Sequence, residues 1–212
     1  MLIADLVHYV RPELPSVLDE IIAQEMAATA MDFCRRTLVW QEIQEPVALM
    51  DGVSQYDMEG PSDALVLTIL NVWAAERELV AVTMNHLIQV LPNWQTAQSS
   101  QPVYYNAARD LNAITVYPTP MGAQRAQLTF KAQYTPKRTA KTLPDFLGEK
   151  YHDALVSGTK ARMMLKVNVF WSNPNAGLMH QQDYEQAVAK AQIDQLHEQV
   201  PVSIRVRPVR FG

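Results

Sequence analysis

The sequence contains little cysteine, little glycine and no long apolar run. Cys34 is the only cysteine among 212 residues, so no disulfide can form within the chain and a reducing compartment is sufficient. Glycine occupies only seven positions, so we expect the turns to use Asn, Asp and Pro. The apolar runs fall far short of the roughly 20 residues that a membrane-spanning helix needs. The first residues, MLIADLVHYVRPELP, lack a basic start and a long apolar core, so we expect neither a secretory signal nor a membrane partner.

An excess of basic residues is also missing. The formal net charge is −4, and three of the arginines stand in the last ten residues, which carry no acid. The rest of the chain is therefore more acidic still. Tight binding to nucleic acid comes mostly from Lys and Arg on phosphates, so this composition argues against a protein that grips DNA or RNA.

The familiar motifs of catalytic and metal sites are absent. The chain has no HExxH, CxxC or EF-hand loop, no Gly-rich phosphate loop and no GxSxG. The densest group of titratable residues is Glu149, His152 and Asp153, with Asp145 nearby, and Glu149 and His152 are spaced to share one helix face. A small hydrolase built on Glu149, His152 and Asp153 is therefore the catalytic alternative, but a solvated helix face is the interpretation that we favour. We expect no cofactor and no metal.

Cysteine, tryptophan and the remaining histidines have structural interpretations. Cys34 lies beside Phe33 on a predicted helix, so we expect it to be buried rather than paired with a His as a nucleophile. Large aromatic residues at the joints between segments usually pack one element against another. We expect this role for the four tryptophans, Trp40, Trp73, Trp94 and Trp171. A carbohydrate-binding β-sandwich module using Trp73 or Trp94 is the alternative. We expect His180 and His197 at the surface.

The hydrophobic period divides the chain into helical, β and helical blocks. In residues 1–37, a helix is predicted after Ser16 as its cap, and its apolar face consists of Leu18, Ile22, Met26, Ala30 and Phe33. Residues 38–137 contain short strands such as DALVLTILNV, RELVAVTM, NAITVYP and the alternating QLTFKAQY, typical of an antiparallel sandwich or barrel.

Residues 138–199 return to the helical period. One predicted stripe comprises Leu147, Tyr151, Ala154, Gly158, Ala161 and Leu165. Gly158 costs about 1 kcal/mol relative to Ala inside a helix, which is tolerated if another helix must approach closely there. A last helix is predicted with Asn173 as its cap and Pro174 in its first turn. Tyr184, Val188 and Ala191 line its one apolar side, and its other sides are expected to be polar.

Residues 200–212, VPVSIRVRPVRFG, have the pattern of an extended tail. Burying the apolar side chains of such a tail does not offset the backbone entropy of ordering it, so backbone hydrogen bonds to an existing sheet edge or groove are needed. We therefore predict that the tail adds to a neighbouring subunit or another partner, with its arginines meeting acidic groups. The residues predicted to bind are Val202, Ile204, Arg205, Val206, Arg207, Val209, Arg210 and Phe211. The alternative is pairing with the chain's own β block.

Several motifs occur in an order that is found in a known family. The motifs are, in chain order, MDFCRRTLVWQE, LPNWQTAQSSQPVYYNAARDLNAITVYPTP and LPDFLGEKYHDALVSGTKARMML, and a predicted helix follows after NP. In this order and at these distances, the chain resembles the head-to-tail adaptor proteins of short-tailed bacteriophages. The segment after Val200 does not match residue by residue.

The resemblance implies a fold and a function. The implied fold is α+β: a helical bundle of one N-terminal and two C-terminal helices, an inserted antiparallel β-sandwich or barrel-like domain, and an extended C-terminal tail. Its parts would be residues 1–37, 38–137, 138–199 and 200–212. The implied function is that of a non-enzymatic virion protein of the head–tail neck, assembled in the host cytoplasm. It would form a ring, typically twelve-fold, under the portal protein and link it to the tail nozzle or fibres, while viral DNA passes through without specific binding. Another neck or tail-completion component is the alternative.

Overall fold

A computed structural model of the chain describes residues 1–58, 60–107, 111, 113–122 and 126–199. Within these ranges the helices are α1 (Ala4–Val10), α2 (Asp19–Thr37), α3 (Met84–Val90), α4 (Asp145–Lys150), α5 (His152–Met164) and α6 (Pro174–Gln199). The strands are β1 (Gln41–Ile43), β2 (Val47–Ala48), β3 (Gln55–Asp57), β4 (Ala64–Ala74), β5 (Arg77–Glu78), β6 (Val80–Ala81), β7 (Gln98–Ser99), β8 (Tyr104–Ala107), β9 (Ala113–Tyr117), β10 (Thr119–Pro120) and β11 (Gln127–Pro136). The α+β class predicted from the sequence is confirmed.

Helix α2 buries four of the five apolar residues predicted for its face. Ile22, Met26, Ala30 and Phe33 are fully buried, but Leu18 is 66% exposed. The prediction for Leu18 and for Ser16 as the cap is wrong, because α2 begins at Asp19 and Leu18, its N-cap residue, has extended backbone angles. Leu18 therefore lies outside the helical period.

One hydrophobic core joins the helices to the ends of two strands. Residues of α1, α2, α5 and α6 pack in it together with Trp40, Ala132 and Tyr134 of the β block. The division into units at residues 37 and 137 stays a prediction. Residues between these two boundaries, such as Trp40 and Tyr134, also pack in the core of the helices.

The helix predicted from the stripe between Leu147 and Leu165 is divided in two at Tyr151. Tyr151 has φ −119° and ψ 20°, outside the helical range, and its ring packs 4.9 Å from that of Phe33, centroid to centroid. The helix is thus interrupted at a residue whose ring packs in the core. The periodic stripe in the sequence does not predict this interruption.

A five-stranded sheet carries the strongest strand signals of the sequence. β1, β11, β4 and β5 follow one another in space, and β2 also pairs with β11. The burial predicted for Leu128, Phe130, Ala132 and Tyr134 along β11 is confirmed, but the alternation is wrong at Gln133, which is only 3% exposed. β4 corresponds to DALVLTILNV and β9 to NAITVYP, whereas RELVAVTM forms two short strands and the first residue of α3.

A four-stranded sheet, β3-β9-β8-β6, packs against the first across a second core that includes Val72, Tyr105, Ile114 and Phe130. The two sheets thus form an open sandwich, and no barrel closes among the described strands. The expectation of a purely antiparallel insert is wrong in detail, since β6 pairs parallel to β8 and β10 pairs parallel to β7. Both parallel pairs are only two residues long.

The hairpin between β4 and β5 turns without Asn, Asp, Pro or Gly. Its two central residues, Ala75 and Glu76, have φ of 48° and 67°. Such left-handed angles at both positions match the right-handed twist of the flanking strands, and Gly or Asn is the usual choice there. The expectation that turns use Asn, Asp and Pro is therefore wrong at this hairpin.

Candidate interaction surfaces

The residues predicted to bind a partner all lie outside the described residues. They are Val202, Ile204, Arg205, Val206, Arg207, Val209, Arg210 and Phe211. The structure does describe the backbone of the helix that leads to them, which ends at Gln199. Near its end, Gln195 Oε1 accepts a hydrogen bond of 3.2 Å from Gln41 Nε2, and Gln192 Nε2 donates one of 2.8 Å to the carbonyl of Arg36. The chain therefore leaves the described part beside the start of β1.

The predicted acid–base group is not assembled into one site. Glu149 is exposed on α4, while His152 begins α5 after the break at Tyr151, and no hydrogen bond joins the two among the described contacts. His152 Nδ1 lies 3.0 Å from the exposed carboxylate of Asp153, and its ring packs edge-on against Tyr9. His152 Nε2 is buried without a partner in the described part of the chain. Of the three predicted residues, the described contacts therefore bring together only His152 and Asp153.

Cys34 is buried, as predicted. Burial raises the pKa of the Cys34 thiol to about 12, because the apolar surroundings disfavour the thiolate. A thiol with such a pKa is protonated at neutral pH and a poor nucleophile.

The tryptophans pack where elements meet. Trp40 is 2% exposed, lies 5.7 Å from the Tyr134 ring and donates from Nε1 to Glu42 Oε1 at 2.7 Å. Trp94 packs edge-on against Tyr117 beside α3. Trp73 lies half-buried on β4, above a shallow depression that also contains Glu76 and Thr129. The packing role is confirmed for Trp40 and Trp94, and the carbohydrate alternative at Trp73 stays untested.

An exposed apolar surface lies at the corner between α5 and α6, which we call the α5–α6 corner and define by Val167, Phe170, Leu178 and Met179. Val167 is 76% exposed and Phe170 is 74% exposed. Phe170 packs edge-to-face on Trp171, whose ring centroid is 4.6 Å away. The connecting loop is fixed to the helix ends, because Asn173 N donates to the Met164 carbonyl at 3.0 Å. A fixed loop that presents large apolar side chains to solvent is typical of a protein–protein contact.

Sequence reasoning missed this corner. The sides of α6 away from Tyr184, Val188 and Ala191 were expected to be polar, and this is wrong for Leu178, Met179, Ile193 and Leu196, which are exposed. The signal was the run VNVFW between two predicted helices, in which four of five residues are apolar. The predicted cap of α6 is confirmed, because Asn173 Oδ1 accepts from Ala176 N at 3.3 Å.

Comparison with known proteins gives one family. The chain matches the family described as SU10 adaptor protein over residues 1–207. It belongs to the SU10 adaptor protein family. This is a family of phage head-to-tail adaptors, so the resemblance found in the sequence is confirmed and the protein is a structural component of the virion neck. No curated protein matches the chain.

No group of three or more His, Cys, Asp or Glu side chains is placed to hold a metal ion in the part that the structure describes. None of the described helices is long and apolar enough to cross a membrane.

The helices of this SU10-family adaptor are tied together by carboxylates that each face cations of another helix. Glu13, before α2, accepts from Lys160 Nζ on α5 at 2.6 Å and lies 2.8 Å from His180 Nε2 on α6. His180, which was expected at the surface, is partly covered there, with 20% of its side chain exposed. The side chain of His197 lies outside the described residues.

Two more carboxylates connect α2 to α5 and α6. Glu25 on α2 accepts hydrogen bonds from Arg162 of α5 at 3.2 Å and from Lys166, just after the end of α5, at 2.6 Å. Glu185 on α6 holds the Arg36 guanidinium through both carboxylate oxygens. A hydrogen bond from Lys160 lowers the pKa of Glu13, and one from Arg36 lowers that of Glu185. Partial burial alone would raise the pKa of Glu25, but its two cations outweigh burial and lower it.

Proposed function

We propose that this adaptor forms a closed, twelve-fold ring that docks beneath the portal protein, links it to the tail nozzle or fibres, and lets viral DNA pass through its centre. Membership of the SU10 adaptor protein family over residues 1–207 is the observation that carries this proposal. The acidic composition supports the free passage of DNA, because an acidic wall does not hold phosphates.

Ring formation requires two different surfaces on each subunit, because the contact between neighbours in a ring is head-to-tail. The α5–α6 corner supplies a candidate for one of them. Its four apolar side chains lose water when a second copy covers them, and repetition around a ring multiplies a weak contact. We assign the tail residues 202–211 to binding the portal or a neighbouring subunit in the docked ring, as the sequence predicts.

Substitution at the corner tests this assignment. In the double variant Val167→Ser/Phe170→Ser, we expect loss of portal-dependent rings in electron micrographs and unchanged thermal stability, because both side chains are largely exposed. Ile88→Ser is the matched control, since Ile88 is 50% exposed on α3 and remote in the sequence. Normal ring formation by the double variant would contradict the role of the corner, and failure of the unaltered protein to form rings on portals would contradict the proposed function.

A further inference from the structure

One edge of the five-stranded sheet is open. β1 and β2 both pair with β11, in the registers Glu42↔Ala132 and Val47↔Leu128. Between them, Gln44 N donates to the carbonyl of Phe130 at 2.9 Å, so residues 41–48 act as one interrupted edge strand. No strand among the described residues pairs with its outer side. The outward backbone N–H and C=O groups are thus available to another extended segment.

A groove runs beside this edge. Its volume is about 690 Å³, and its lining includes residues 42–47 of the edge together with Asp57, Gly60 and Pro61. Phe130 also contributes to the lining, and Ile43 is 63% exposed. The groove therefore combines free strand-pairing groups with apolar surface, which is the combination that binds peptides by strand addition.

The charges of this edge groove are of one sign. Glu42, Glu45 and Asp57 line it, and none of the described residues in its lining is a Lys, Arg or His. Glu42 accepts a hydrogen bond from Trp40 Nε1, whereas the exposed carboxylates of Glu45 and Asp57 have no partner among the described residues. The matching occupant is an extended segment with alternating apolar side chains and several cations.

The C-terminal segment of this chain has that chemistry. Val202, Ile204 and Val206 alternate with Ser203, Arg205 and Arg207, and residues 203–212 contain no acid. The segment also starts close to the groove, because the end of α6 is bonded to Gln41 through Gln195. Residues 200–212, extended at about 3.3 Å each, span about 40 Å, which exceeds the length of the edge strand. That length is sufficient for the segment to reach its own subunit's groove without exchange between copies.

We propose that the edge groove holds residues 202–211 of the same chain in the subunit before it docks. The segment adds to the outer edge of β1 as a strand, with its apolar side chains on the face of Ile43 and its arginines beside Glu42, Glu45 and Asp57. Attachment to α6 gives the segment a high effective concentration at the groove, which favours this pairing over binding to a free copy. This inference goes beyond the proposed function, which concerns the docked ring. Docking through the tail then requires release of the segment, so the groove competes with the portal.

Selective cross-linking tests this arrangement. In the full-length double variant Ile43→Cys/Ile204→Cys, a short bismaleimide should link the two positions within one chain, read by mass spectrometry of proteolytic peptides. Native Cys34 does not interfere, because it is buried. Val80→Cys/Ile204→Cys is the control, since Val80 is 54% exposed on the other sheet. We expect several-fold more intrachain product at position 43 than at position 80.

Two further arms determine the occupant and the role of charge. Glu45→Gln/Asp57→Asn, placed in the Ile43→Cys/Ile204→Cys protein, should lower the yield several-fold, and an unchanged yield would remove the arginine–carboxylate contacts from the proposal. Mixing the Ile43→Cys protein with the Ile204→Cys protein, each carrying one of the two substitutions, should give little cross-linked product. Links mainly between copies would assign the groove to a neighbour's segment, and equal linking at positions 43 and 80 would show that the groove is not the docking site; either result overturns the proposal.

Discussion

Gly158 shows how closely single residues control the contact of three helices. A Cβ at this position would lie 2.6 Å from Thr29 Cγ2 on α2 and 2.7 Å from Tyr184 Cδ2 on α6. The buried hydroxyls next to it are satisfied within their own helices, since Thr29 donates to the Glu25 carbonyl and Thr159 to that of Leu155. A hydrogen atom in place of a side chain therefore lets α2 and α6 approach α5.

Gly158→Ala should destabilise the protein despite the better helix propensity of Ala. Overpacking costs about 1–3 kcal/mol, and contacts under 3 Å with two helices place this site in the upper part of that range, about 2–3 kcal/mol. The propensity gain returns about 1 kcal/mol, so we expect the free energy of unfolding to fall by about 1–2 kcal/mol. Urea denaturation measures this change. Ser157→Ala, at the adjacent position of α5, is the control and should be nearly neutral. A Gly158→Ala protein as stable as the control would show that the helices are not in close contact at this residue.

Among the elements, the ion pairs between helices set the response of the bundle to acid. Glu13, Glu25 and Glu185 each have a folded-state pKa below the ordinary value of 4.5, and each connects two helices. The unfolded chain therefore binds more protons than the folded chain as the pH falls below about 4.5. The stabilisation is fully present above that pH and is lost as the pH falls through the lowered folded-state values.

Glu25→Gln should remove part of this pH dependence. Glu25 has only 19% of its side chain exposed and faces two cations, so at pH 7 we expect a loss of roughly 1 kcal/mol in the free energy of unfolding. The difference from the unaltered protein should shrink between pH 5 and pH 3. Glu149→Gln, at an exposed carboxylate, is the control. A constant difference across this pH range would mean that the ion pairs of Glu25 do not contribute to acid sensitivity.

The hydrophobic pattern of the sequence predicts some of the helices and strands but not others. α2, α6, β4, β9 and β11 follow from their hydrophobic periods, because each is long or regular enough for the pattern to repeat. The seven-residue α1 gives too little pattern, and the burial of Leu6, Val7 and Val10 against α2 and α5 accounts for its stability. The break at Tyr151 and the left-handed turn at Ala75 and Glu76 depend on tertiary packing and strand twist, which no local pattern carries. The α5–α6 corner was missed because exposed apolar residues in a loop do not change any period.

The whole molecule combines helices with an open β-sandwich, and two of its exposed surfaces have the chemistry to bind other protein segments. The α5–α6 corner presents apolar side chains at one end of the bundle, and the acidic edge groove opens beside β1. Family membership places this molecule in the neck of a phage particle. The central claim is that such subunits assemble on the portal as a ring.

The most direct measurement is the mass of the purified protein alone and after mixing with its portal, with electron micrographs of the same samples. The account predicts that portals gain twelve copies of the chain, arranged as a ring on one face. Portals that gain no copies, or that bind scattered subunits without a closed ring, would contradict it.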